Sequence, residues 1–175
     1  TLRPEDAGTV ESLATDFGRR HREIDDLLLV NAWARLDPEA AAQRALHAQS
    51  PIAEAARADV VREWARVDPN TATAALAAQE SAVERSLVRG WYESGEPGLE
   101  EYIFAEGNSR TGQNFLATYL AEIREDRGAE AVIEWVDGVR AKAELPMIMI
   151  VHAHRKGLAV LAEADIDRAL AYCDE

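Results

Sequence analysis

The sequence predicts an all-α fold: an α-α superhelix, or solenoid, of about five helical hairpins, with no β-sheet. Three observations predict it. Alanine, the best helix former, is abundant, while the β-branched residues are scattered and do not alternate with polar ones. The 10 glycines and 6 prolines fall mostly between periodic stretches, where they punctuate the chain. Finally, Trp33-Ala34-Arg35-Leu36-Asp37-Pro38 recurs as Trp64-Ala65-Arg66-Val67-Asp68-Pro69, 31 residues later. Recurrence at that period, with an aromatic anchor and a capped turn, marks stacked helical hairpins.

The elements follow in order. Residues 1–24 read as an N-terminal helix or flank. Within it, Arg19-Arg20-His21-Arg22 is a solvated turn or helix face countered by Glu23, Asp25 and Asp26. Regular Trp/Asp-Pro repeats occupy 25–106 and diverged repeats occupy 107–175, all in a single helical-repeat domain spanning 1–175. In the first repeat, Leu29 and Val30 stand four and three residues before Trp33, and Asp37-Pro38 stops the helix. The second repeat is the clearest. Ile52, Ala56, Val60, Trp64 and Val67 recur every three or four residues as one apolar stripe. Asp68-Pro69 then ends it. Aspartate caps the next helix, and proline fits its first position because the missing N–H would have been unpaired there anyway. A shorter helix through Ala72, Ala75 and Leu76 should follow, with Ala41 and Ala72 in equivalent places where small residues allow close packing.

The third repeat, Trp91-Tyr92-Glu93-Ser94-Gly95-Glu96-Pro97, has one extra residue before its proline and is preceded by Leu87 and Val88. In the fourth, Tyr119, Leu120 and Ile123 precede a turn at Arg127-Gly128, and Ala129 to Val139 forms the partner helix. Last, Leu158 and Leu161 precede Asp165-Ile166-Asp167-Arg168-Ala169, an echo of Asp37-Pro38-Glu39-Ala40-Ala41. That helix shows no terminator, so it is expected either to continue past Glu175 or to close the stack as a lid. Trp33, Trp64 and Trp91 all sit on apolar stripes and are expected to be structural.

Charge narrows the function classes. The chain carries 19 Lys+Arg against 32 Asp+Glu, a formal charge of −13. A body that acidic repels phosphate backbones, so nucleic acid is not an expected partner. The apolar run Met147 to Val151 is too short to span a bilayer. The single cysteine, Cys173, excludes an internal disulfide and any cysteine-based zinc site, and its acidic neighbours Asp174 and Glu175 disfavour a thiolate nucleophile. The first residue is Thr1 and not Met, which leans toward a processed, exported or periplasmic protein over a cytoplasmic one.

Two patterns resemble catalytic motifs. His152 and His154 follow the run Leu145–Val151, and as alternate residues of a strand they would share one face. This is similar to the first metal motif of amidohydrolase barrels, which need further His and Asp ligands on later strands. Only 21 residues follow His154, and His21 and His47 lie far upstream. On a helix the two side chains point about 200° apart and cannot chelate together. The helical spacing of Ala and Leu favours that reading, so no metal or other cofactor is expected. Glu93-Ser94-Gly95, Gly112-Gln113 and Ala171-Tyr172 follow the motif order of lytic transglycosylases, in which a Glu protonates the glycosidic oxygen. That resemblance would make Glu93 the acid, with Gln113 and Tyr172 lining the groove. The apolar pair between the Gly and the Gln is absent, and Cys173-Asp174 replaces the Asn-containing end of the third motif.

The repeats themselves resemble tetratricopeptide-like helical-repeat proteins, in particular bacterial repeats of the form Trp-Ala-x-x-Asp-Pro-x-x-Ala. The resemblance spans Asp25 to Tyr102 well and the rest by register. It departs from the tetratricopeptide consensus, since no Leu-Gly-x-x-Tyr follows the tryptophans. It implies a non-catalytic scaffold that binds proteins or peptides; the lytic transglycosylase-like reading is the alternative. A surface for the partner is legible in the register. Two residues before each tryptophan stand Asn31, Arg62 and Arg89, and two after stand Arg35, Arg66 and Glu93. At 100° per residue these lie about 160° from the tryptophan, opposite the packed stripe. Arg35, Arg62, Arg66 and Arg89 are therefore expected to form a strip that suits carboxylates, from an acidic segment or a peptide C-terminus. The competing expectation is that Asp59, Glu63 and Glu93 complete ordinary helix-surface pairs with Arg62, Arg66 and Arg89.

Overall fold

The structure, a computed structural model, describes residues 8, 9, 12, 30, 32–47, 51–76, 81–107, 109–142 and 145–173. Among the described residues the regular elements are all helical and no strand occurs, so the fold is all-α. The basic run at 19–22 with its acidic neighbours, Leu29 and Asn31 lie outside the described residues, as do Asp174, Glu175 and the side chains of His47 and Ile52. The chain divides into two compact units, Thr1–Glu96 and Pro97–Glu175, so the regular repeats assigned to 25–106 run past the division.

In the first unit a helical turn carrying Trp33 leads into α1 (Pro38–His47), followed by α2 (Pro51–Val67), α3 (Pro69–Leu76) and α4 (Ser81–Ser94). The Asp-Pro turns work as their chemistry requires. Asp37 Oδ1 accepts from the Ala40 N–H at 3.0 Å, and Asp68 Oδ1 from the Thr71 N–H at 3.0 Å. Each cap satisfies an N–H that the first helical turn leaves unpaired. The Thr71 hydroxyl adds a donor to Asp68 Oδ2 at 2.6 Å, and these bonds hold the Asp68 carboxyl below its usual range.

The tryptophans form the centre of this unit. Trp33, Trp64 and Trp91 are 4%, 2% and 4% exposed, and Val60, Val61, Ala65 and Val88 are buried outright. Trp91 keeps its polar end satisfied, since Nε1 donates to the Glu96 carbonyl at 3.1 Å. Ala41 and Ala72, equivalent by register, are both fully buried. One expectation needs correction. Val67 shares the angular position of the apolar stripe but is 55% exposed, at the last residue of α2. The shorter helix expected through Ala72, Ala75 and Leu76 forms as α3, with Ala72 and Leu76 buried and Ala75 exposed. The crossing of α2 and α4 is close. A Cβ on Gly90 would lie 2.1 Å from the Arg62 carbonyl oxygen, so only glycine lets the two backbones approach this closely.

The second unit contains α5 (Leu99–Ala105), α6 (Arg110–Arg127), α7 (Ala129–Arg140), α8 (Met147–Ala164) and α9 (Ile166–Cys173). The turn expected at Arg127-Gly128 joins α6 to α7, with Gly128 at φ +87°, a conformation that side chains rarely adopt. Asp165 repeats the cap of the first unit: its Oδ1 accepts from the Arg168 N–H at 3.0 Å. The run Leu145–Val151 is helical from Met147 onward and forms no strand. Phe115, Leu116, Leu120, Ile123, Val132, Val136 and Leu161 make the core. Gly157 brings α8 against Val136 of α7.

Candidate functional site

A groove of about 380 Å³ opens on the first unit, lined by Ala34, Arg35, Asp59, Arg62, Glu63, Arg66 and Glu93. Three of the four register arginines therefore share one concavity. The register of the tryptophans explains why. Arg35 ends the turn carrying Trp33, Arg62 and Arg66 flank Trp64 on α2, and Glu93 follows Trp91 on α4. Positions two residues from a buried tryptophan face away from the core.

The groove is paired from within. Arg62 Nε donates to Glu93 Oε2 at 2.8 Å and its Nη2 donates to Glu93 Oε1, a two-point bond between residues 31 apart in the chain. Arg89 Nε approaches the same Glu93 Oε1 at 3.6 Å from one turn away, so the fourth arginine acts on the groove through its acid. Arg66 holds Glu63 in the same bidentate manner, at 3.0 and 2.6 Å. The hydrogen bonds from Arg66 hold the Glu63 carboxyl below its ordinary value, against the upward push of partial burial; the charges of Arg66, Arg35 and Arg62 add to the lowering. Of the two helix-surface pairs expected within α2, Glu63 with Arg66 forms, whereas Arg62 reaches across to α4 and Asp59 stands on the groove wall.

Arg35 differs from the others. It is exposed and, among the described residues, forms no hydrogen bond or ion pair; it acts on Glu63 through charge alone.

The residues of the two catalytic resemblances are placed as follows. Glu93 is in the first unit, with both carboxylate oxygens accepting from Arg62. Gln113 lies half-buried on α6 of the second unit, and Tyr172 is buried on α9 with its hydroxyl donating to Asp137 Oδ1 at 2.7 Å. Burial and the Asp137 acceptor both push the Tyr172 hydroxyl above its usual value. His152 and His154 are both half-buried on α8, two residues apart, and the His154 ring lies 5.5 Å from that of Tyr172. Among the described residues, no three His, Cys, Asp or Glu side chains come together to hold a metal ion. Cys173 is an exposed free thiol. No helix of the described residues is long and apolar enough to cross a membrane.

A polar centre in the second unit escaped the sequence reading. Glu100 on α5 accepts from Trp135 Nε1 at 2.7 Å, Tyr119 Oη at 2.8 Å and Lys142 Nζ at 3.2 Å. Trp135 stacks on Phe104, and Lys142 sits over the Phe104 ring. Burial pushes the Glu100 carboxyl up, but the three hydrogen bonds and the Lys142 charge outweigh it and hold it below its ordinary value. The only sequence signal was a lone Trp outside the recurring register, too little to identify its partners.

Compared with known proteins, the chain matches no family model, and neither a curated protein nor a solved structure is significantly similar to it.

Proposed function

We propose that the chain is a non-catalytic helical-repeat scaffold of the tetratricopeptide-like kind, holding a protein or peptide partner by a carboxylate at the Arg35 end of the groove. The observation that carries this reading is the pairing pattern. Arg62 and Arg66 are each held by an internal carboxylate, whereas Arg35 lines the same groove with its donors unengaged among the described residues. A partner carboxylate, from an acidic side chain or a chain terminus, gains Arg35 without displacing an internal anion; reaching Arg66 requires exchange for Glu63. The volume is near the lower end of the roughly 300–1,000 Å³ typical of small-ligand pockets, which suits a chain end or one or two side chains. The glycan-cleaving alternative asks Glu93 to reach a glycosidic oxygen, whereas both of its carboxylate oxygens already accept from Arg62.

The test begins with recovery of binding peptides on the immobilised protein and measures their affinity by fluorescence anisotropy. Arg35→Glu should weaken binding about tenfold or more, the scale of one charge-assisted hydrogen bond, with helicity unchanged. Masking the recognised carboxylate as an amide should do the same. Equal affinity for wild type and Arg35→Glu would sink the proposal, and peptidoglycan lysis that disappears in Glu93→Gln would replace it with the enzyme.

A further inference from the structure

Among the described residues six large apolar side chains are exposed, and five of them lie on α8 and α9. On the first turns of α8, Met147, Ile148 and Val151 are 72%, 44% and 52% exposed. On α9, Ile166 and Leu170 are 63% and 60% exposed. Each set occupies one side of its helix: at about 100° per residue, Met147, Val151 and Ile148 fall within an arc of about 100°, as do Ile166, Leu170 and Asp167. The borders of the two patches carry opposite charge. Arg155 stands one turn beyond Val151 in the same arc, and Asp167 lies beside Ile166; among the described residues neither forms a hydrogen bond or ion pair.

The patches also sit toward opposite ends of one hairpin. Met147 opens α8, whose 18 residues extend about 27 Å before α9 begins. Two such hairpins related by a two-fold axis bring the α8 patch of each copy onto the α9 patch of the other, making two equivalent contacts that close on themselves. In that arrangement Arg155 at the border of one copy's α8 patch meets Asp167 at the border of the other's α9 patch, so opposite charge accompanies the apolar match. This chain itself presents both complementary halves.

We propose that the α8–α9 hairpin is a self-association surface, on which a second copy of this chain docks with each α8 patch against the partner's α9 patch. Sedimentation equilibrium from low to high micromolar should show a monomer–dimer equilibrium and no larger species. Val151→Glu and Leu170→Glu should each weaken the dimer about tenfold or more, as expected for charges placed at the centre of an apolar contact. Both positions are exposed, so circular dichroism should stay unchanged. The decisive measurement is the equimolar mixture of the two variants. Each retains the patch that the other has lost, so mixed dimers should form through one intact contact more readily than either variant dimerises alone. A monomer at every concentration, a dimer indifferent to both substitutions, or a mixture no more associated than its components would overturn the proposal.

Discussion

Replacing Gly90 by alanine sets two effects against each other, and the structure decides between them. Gly90 is inside α4, where alanine favours the helix by about 0.8–1 kcal/mol through backbone entropy. Against that gain, the new Cβ would lie 2.1 Å from the Arg62 carbonyl oxygen and 2.9 Å from Ala65 Cβ. Real Cβ contacts essentially never fall below 3.0 Å, and the nearest obstacle is backbone, which cannot swing aside like a side-chain tip. The two helices must therefore part by about 1 Å, in a core packed like an organic crystal. Overpacking of this kind costs about 1–3 kcal/mol and at times more. The helices forced apart carry Trp64, Ala65, Leu87 and Val88, all buried, so the upper part of that range applies. The net result is a loss of about 1–2 kcal/mol, or about 2–8 °C in Tm for a chain of this length.

Gly138 supplies the control. It lies on α7, and a Cβ there meets nothing within 4 Å, so Gly138→Ala should gain up to about 1 kcal/mol from propensity alone. Thermal and urea unfolding followed by circular dichroism should rank Gly138→Ala above wild type and wild type above Gly90→Ala. If Gly90→Ala matches or exceeds wild type, the α2–α4 crossing is looser than its geometry states and the reasoning fails.

Three further outcomes are expected. Trp64→Ala should cost about 3–5 kcal/mol in urea unfolding, the range for deleting a buried aromatic ring, because Trp64 is 2% exposed at the centre of the first unit. A double-mutant cycle on Arg62→Ala and Glu93→Ala should return a coupling of about 0.5–1 kcal/mol that shrinks as salt is added, since the pair is partly solvated. Glu100→Gln should cost about 1–3 kcal/mol at neutral pH by replacing an acceptor of three donors with an amide. The same substitution should flatten the acid limb of stability. A carboxylate held below its ordinary value of 4.5 contributes fully above that value and loses its contribution as pH falls through the lower folded value, and glutamine has nothing to titrate there.

What the sequence revealed and what it concealed divide along a physical line. Helix identity, the Asp37, Asp68 and Asp165 caps and the burial of the tryptophans were legible because each depends on residues within one or two turns of chain. Val67 misled because its register places it on the stripe, yet at the last residue of α2 register does not say whether another element covers it. The Glu100 centre was hidden for a different reason. Its donors come from α6, from α7 and from beyond the end of α7, and no local pattern states that Tyr119, Trp135 and Lys142 converge on one carboxylate. The α8 and α9 patches were equally silent, because the periodicity of a helix marks an apolar residue without saying whether another helix covers it.

On the proposed function, divergence among the recurring tryptophan segments is what would give the groove its specificity. A faithful third copy would place arginine two residues after Trp91, as Arg35 and Arg66 stand after Trp33 and Trp64. An arginine there would face Arg62 and sit one turn from Arg89, a cluster of like charges that the fold would have to hold apart. Glutamate at 93 turns that repulsion into a two-point bond with Arg62 and a longer contact with Arg89, tying α4 to α2 beside their close crossing. Within α2, Glu63 does the same for Arg66. Among the described residues Arg35 receives no such partner, so the groove arginines are neutralised at Arg62 and Arg66 and not at Arg35. On the proposed function, an incoming carboxylate would find its lowest-cost contact at Arg35, and selectivity there would follow from the internal acids that occupy the other arginines.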